Sequence, residues 1–230
     1  MVSSHLTVLE SSSQQYASDT LFRTPLVDST GRVEAWRSVT YQQFHRDVEL
    51  FARHWTWVFK HERIPRGSVI GMWYATSHSI LHDVLILISR LSGFTYPDVL
   101  HIYGISRAGY IPQLFSLRLP NPLVIYELLR KANAHAIIYD PSFESILNDC
   151  PVPSYRAFQS ERIECVQESL PSIWDIHEDD IAFYFHTSGS TSGSPKLVPM
   201  SFRWLDSVVV KSRHISMPQN PGRQDVTVCM

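Results

Sequence analysis

Charge of one sign is not in excess in this chain. Its 20 lysines and arginines stand against 22 aspartates and glutamates, a formal net charge of −2. No basic footprint awaits the phosphates of a nucleic acid or the surface of an anionic membrane, and neither partner is expected. Cysteine is scarce as well. Cys150, Cys165 and Cys229 are odd in number and irregularly spaced, which reads as free thiols in a reducing compartment and a cytoplasmic location. The serine-rich stretch Met1–Thr20 lacks the apolar core of a secretory signal and is expected to be a loosely ordered leader, with Leu21–Val27 docking on the domain. A further apolar stretch, Tyr74–Gly93, is interrupted by His82, Asp83 and Arg90 and is too short to cross a bilayer. His45, His54 and His61 lie on or beside one helix without cysteines or carboxylates at metal spacing, so no metal site is expected there. Trp55, Trp57 and Phe59 on the same helix read as packing.

What is present is a regular alternation of helix and strand patterns over 230 residues, enough for one or two domains. Thr40 can cap a helix over Gln42–His61 whose Phe44, Val48, Phe51, Ala52, Trp55 and Phe59 share one face. Pro65-Arg66-Gly67 turns into a short apolar strand, Ser68–Trp73. Asp98–Gly109 reads as a helix. Pro120 and Pro122 open another, Leu123–Lys131, because a proline in the first turn loses no hydrogen bond. Ala136–Tyr139 follows as a buried strand. Strands and helices alternating at these distances predict parallel β-α-β units in a doubly wound α/β fold.

The segment with the most chemistry is I-A-F-Y-F-H-T-S-G-S-T-S-G-S-P-K-L-V-P, Ile181–Pro199. A strand-like run, Ile181–Phe185, enters a loop of small residues and is followed by a helix-like Ser201–Lys211. Gly189 and Gly193 permit the backbone angles that let successive N–H groups converge on one anion. Thr187, Ser188, Ser190, Thr191, Ser192 and Ser194 add hydroxyls, and Lys196 adds a fixed positive charge. A serine/glycine run can also be a plain flexible linker; the flanking strand and helix patterns favour an anion-binding turn. The Walker spacing is absent, since Lys196 follows a proline.

Thr187–Lys196 closely resembles the phosphate-binding loop T-S-G-[ST]-T-G-x-P-K of adenylate-forming (AMP-binding) enzymes, with one extra serine before the second glycine. The "T-Y" helix start at Thr40-Tyr41, the strand after Gly67, and Arg107-Ala108-Gly109-Tyr110-Ile111-Pro112 resemble the same family in the same order. The wording of the loop, together with R-A-G-Y-I-P-Q-L-F-S-L-R-L-P-N-P upstream, looks most like fungal nonribosomal-peptide-synthetase-like enzymes. This resemblance implies ATP as cofactor, with magnesium in the full-length family, and a small carboxylic acid as substrate. It implies an acyl-adenylate product and a carrier-protein or CoA thiol as acceptor in the parent enzyme. It assigns ATP binding to Thr187, Ser188, Gly189, Ser190, Thr191, Ser192, Gly193, Ser194 and Lys196. His186, just before the loop, either faces the acyl site or simply ends the strand.

Two stretches depart from the family pattern. Tyr74–Gly93 intervenes where a short turn suffices, and is expected to be an insert or an intron retained in frame, against the alternative of a genuine surface helix. The sequence ends at Asp225–Met230 in what looks like the start of a strand. The resemblance implies that residues 21–230 are the first part of a large N-terminal subdomain, truncated at the C-terminus. Segments for adenine, magnesium and ribose and the catalytic lysine would follow it. Two function classes are therefore carried forward: the N-terminal part of a carboxylate-activating enzyme, and a non-catalytic fragment or binding module without turnover. Poor solubility, or disorder near Gln219–Met230, is expected of the isolated chain.

Overall fold

Helix-forming and strand-forming patterns translate into a computed structural model that describes residues 2–28, 32–74, 95–115, 121–158, 167–187 and 195–215. The apolar stripe of Gln42–His61 becomes helix α2, Tyr41–His61, and all six of its named core residues are buried. At about 1.5–3 kcal/mol for each fully buried large side chain, this stripe is a leading contribution to the fold. Thr40 caps the helix by accepting from the Gln43 N–H at 3.1 Å. Trp57 departs from the packing expectation. It lies on the outer side of α2, exposed, with its ring against His61.

The chain then enters strand β3, Val69–Trp73, buried at every residue. Helix α3, Tyr96–Arg107, starts at a reciprocal cap in which the Thr95 N–H donates to the Asp98 carboxylate at 2.8 Å. Strand β4, Ile111–Leu114, precedes helix α4, Pro122–Lys131, which begins as expected with proline at its first position. Strands β5, Ala134–Tyr139, and β6, Ser154–Arg156, follow, and then β7, Ile181–His186. Parallel pairings join β3 to β4 and β5, β5 to β6, and β4 to β7, in the order β6-β5-β3-β4-β7.

Alternation along β3 builds two cores. Ile70 and Met72 meet α2 and α3 on one face, with Trp55, Phe59 and Ile105. Trp73 meets Ile125, Leu128 and Leu129 of α4 on the other. Gly71 also faces α4: a Cβ there would stand 2.6 Å from Leu129 Cδ2 and 3.1 Å from Phe115 Cε2, so its lack of a side chain sets how closely α4 seats. The sheet is thus covered on both faces, the doubly wound α/β arrangement that the alternation predicts.

Three sequence expectations are corrected and one is met. Met1–Thr20 is not a loose leader, because it carries helix α1, His5–Gln15. Ser4 and Thr7 cap that helix reciprocally, the His5 ring packs against Tyr103 and Phe183, and Glu10 meets His45 at 2.8 Å. Leu21–Val27 docks on the domain as expected: it lies in strand β1, Thr20–Val27, which pairs antiparallel with β2, Val33–Thr40, and Leu21 and Phe22 pack on the α2–α3 core, the Phe22 ring meeting Phe44 and Tyr96. Tyr74, the first residue of the proposed insert, belongs to the folded body, buried and stacked on His101. Finally, a strand intervenes between the serine/glycine loop and the helix after it. Leu197–Ser201 is β8, antiparallel to β7, and helix α5 runs from Phe202 to Ile215. Residues 75–93 of the proposed insert, and Gln219–Met230, lie outside the described residues.

Candidate functional site

Strands β3, β4, β5 and β7 run in one direction, so their carboxyl ends share one edge of the sheet. The chain leaves β3 toward the α3 face and leaves β4 toward the α4 face. Open α/β sheets bind ligands at the carboxyl ends where neighbouring strands diverge in this way. The neck of the β7–β8 hairpin, Thr187 and Lys196, stands at that edge.

The hairpin is closed at its neck: the Thr187 N–H donates to the Lys196 carbonyl at 3.0 Å. Register continues below it with His186 opposite Leu197 and Phe185 opposite Val198. The Thr187 N–H is therefore committed to the hairpin, and its exposed hydroxyl is what Thr187 offers a ligand. Pro195 is buried, while Lys196 is exposed at the hairpin's base. The structure brings Thr187 and Lys196 together directly. Ser188, Gly189, Ser190, Thr191, Ser192, Gly193 and Ser194 lie outside the described residues.

His186 ends β7 and is half-buried. Burial lowers its pKa below the ordinary imidazole value, against an opposing backbone hydrogen bond at Thr187, so the ring is neutral at pH 7. It lies over Phe115, with ring centroids 6.4 Å apart and planes 29° from parallel. Phe115 sits just past the end of β4, so this pair joins the carboxyl ends of β4 and β7. Residue-type reasoning assigned Phe115 no role. Its place one residue beyond an I-P-Q-L strand, in the same register zone as His186, was the signal for it.

The hairpin is anchored from below. Arg203, at the start of α5, bonds Glu178 Oε1 at 2.6 Å and Asp179 Oδ1 at 2.9 Å, and its N–H donates to the Glu178 carbonyl. The segment leading into β7 is held by cations: Arg53 donates to the Glu168 carbonyl, Arg66 to that of Ser169 and Arg107 to that of Pro171. Among the described residues no group of three or more His, Cys, Asp or Glu side chains is arranged to hold a metal ion. Among them, too, no helix is long and apolar enough to cross a membrane.

No family model matches the chain. In sequence it is 30% identical over 210 residues to the AMP-binding domain-containing enzyme iboA of Amanita muscaria, covering 88% of this chain and 37% of that protein. In fold it resembles O-succinylbenzoate coenzyme A synthetase of Bacillus subtilis, solved with AMP. That match has a TM-score of 0.65 and 14% identity, covering 92% of this chain and 46% of that one. The N-terminal subdomain of Klebsiella oxytoca NpsA matches with a TM-score of 0.60 and 15% identity, covering 94% of this chain and 45% of that one. The peptide synthetase FmoA3, bound to α-methyl-L-serine-AMP, matches with a TM-score of 0.60 and 17% identity over 96% of this chain and 20% of its own. The chain thus spans well under two thirds of each relative.

Proposed function

From the premise that the chain is a relative of the AMP-binding, adenylate-forming enzymes and corresponds to an N-terminal part of them, we propose that it supplies the triphosphate-binding loop of an ATP-dependent carboxylate-activating enzyme. One observation carries this reading: a serine/glycine loop ending in Lys196 is held by a closed hairpin neck at the carboxyl edge of a doubly wound sheet. In the reaction a carboxylate attacks the α-phosphorus of ATP, pyrophosphate leaves, and an acyl-adenylate forms.

The chain's own residues contribute positioning and charge. Lys196 and the Thr187 hydroxyl, together with the loop amides and the hydroxyls of Ser188, Ser190, Thr191, Ser192 and Ser194, stabilise negative charge on the departing phosphates. Such preorganised donors are worth about 3 kcal/mol each where well placed. Gly189 and Gly193 keep the amides accessible. Neutral His186, backed by Phe115, borders the carboxylic acid without transferring a proton. Magnesium, the ribose contacts, a carrier-protein or CoA thiol as acyl acceptor and a fungal peptide-synthetase-like parent extend the same reading, as does a cytoplasmic setting. The 230-residue chain by itself is proposed to lack turnover, consistent with its spanning 37% of the curated relative.

ATP–pyrophosphate exchange in a full-length parent, measured over a panel of carboxylic acids, tests this. Lys196→Ala is expected to lower exchange by about a hundredfold, the loss typical of one charge-stabilising donor. Unchanged exchange would remove Lys196 from the site.

A further inference from the structure

At the opposite end of the strands, where β4 and β7 begin, lies a cavity of about 660 Å³. That volume suits a small organic ligand. Six parts of the fold converge on it: the start of α1, the end of α3, the beginning of β4, the 171–176 segment, the beginning of β7, and the first residue of α5. Its walls are apolar, including Leu6, Ile111, Ile173, Ile181 and Phe202.

Charge at this cavity is one-sided. Arg107 lines it, but its guanidinium is already engaged: Nε donates to Glu49 at 2.5 Å and Nη1 to the Pro171 carbonyl at 2.7 Å. An anion would find no uncommitted cation. The carboxylates of Asp175, Asp179 and Asp180 line the same cavity on exposed residues. Asp179 is held by Arg203, and Asp180 accepts the His177 N–H at 3.2 Å. Asp175 has no hydrogen-bond or ion-pair partner among the described residues. Two residues of the wall carry further unused capacity. Both ring nitrogens of His5 and the Ser106 hydroxyl are shielded from water without a hydrogen-bond partner, an arrangement that costs a fold free energy unless something satisfies it.

We propose that this cavity is a second binding site, for a small amphipathic amine whose apolar body fills the pocket and whose ammonium pairs with Asp175. An ammonium donates three N–H bonds and accepts none, which matches a rim of carboxylates and excludes carboxylic acids and nucleotides. Binding there links α1 to the 171–176 segment and does not depend on nucleotide chemistry at the hairpin.

The test uses the 230-residue chain with phenethylamine and its anionic counterpart 3-phenylpropanoate, followed by calorimetry and by amide shifts. Phenethylamine is expected to bind at least about tenfold more tightly than the carboxylate, the difference one charge-assisted contact makes. Amide shifts should cluster at Leu6, Ile111, Ile173 and Ile181. Asp175→Asn, a surface change that leaves the fold intact, should lower amine affinity by about tenfold, and Ile173→Trp should block the pocket for both probes. Equal affinity for the two probes would overturn the site, as would shifts at the hairpin instead of the cavity or an unchanged affinity in Asp175→Asn.

Discussion

The strands around β3 and the β7–β8 hairpin share one sheet but are built to different standards. β3 is buried at every residue, and its neighbours on both faces are buried aromatic and aliphatic side chains. In β7 only Ala182 and Phe183 are buried, β8 has no buried residue, and α5 leaves Trp204, Val208 and Val210 exposed. Burial is therefore concentrated where no ligand chemistry is proposed, and the segment proposed to bind phosphate rides on it with few buried contacts. Elements that open locally have this character.

The largest effect that would break the comparison is in the α2–α3 core. Trp55→Ala removes a fully buried ring and leaves His101 Nδ1 without the indole N–H that reaches it at 3.1 Å. A loss of about 3–5 kcal/mol is expected from urea unfolding. Stability that survives the change would mean that the core is not where the fold is held.

Acid sharpens the contrast. Burial lowers the pKa of His101 and of His5 from 6.5 to about 3. Both rings are kept neutral by the fold and take up a proton when unfolded. Their contribution is present above pH 6.5 and is lost as pH falls from 6.5 toward 3, by about 1.4 kcal/mol per pH unit for each ring. For His101 the Trp55 donor fixes Nδ1 as acceptor, so Nε2 carries the proton that bonds the Phe158 carbonyl at 3.0 Å. His101→Gln should remove about 1.4 kcal/mol per pH unit from the slope of unfolding free energy against pH in that window, and an unchanged slope would show that His101 does not contribute to it.

Gly71→Ala probes the other face. Its Cβ would crowd Leu129 and Phe115, and about 1–3 kcal/mol of destabilisation is expected by thermal or urea unfolding. The smallest effect belongs to the hairpin, where Lys196→Ala changes an exposed side chain and should alter stability by less than about 0.5 kcal/mol. Hydrogen exchange separates the regions without mutation: amides of β7 and β8 should exchange before those of β3 and β5. The reverse order would invert the comparison.

The well-packed half was largely legible in the sequence. The helical stripe from Phe44 to Phe59, the apolar β3 and the proline that opens α4 each carry a strong local signal. The rest was hidden for physical reasons. Helix α1 is serine-rich and weakly amphipathic, and its stability comes from the Ser4–Thr7 cap and from His5 packing on Tyr103 and Phe183, which are distant in sequence. β8 contains Pro199 in a five-residue run and reads as loop; register with β7 makes it a strand. The pairing of His186 with Phe115 needs β4 beside β7, a crossover no local pattern encodes. The loop's composition was legible, and so was Lys196, but the hairpin neck that uses the Thr187 N–H was not.

The most direct test is a titration of the 230-residue chain with Mg–ATP, followed by amide chemical shifts. Shifts confined to residues 187–196 and their near neighbours, and abolished in Lys196→Ala while the spectrum stays folded, are the expected result. Saturable binding with shifts elsewhere, or binding untouched by Lys196→Ala, would contradict the assignment of the hairpin loop as the triphosphate grip.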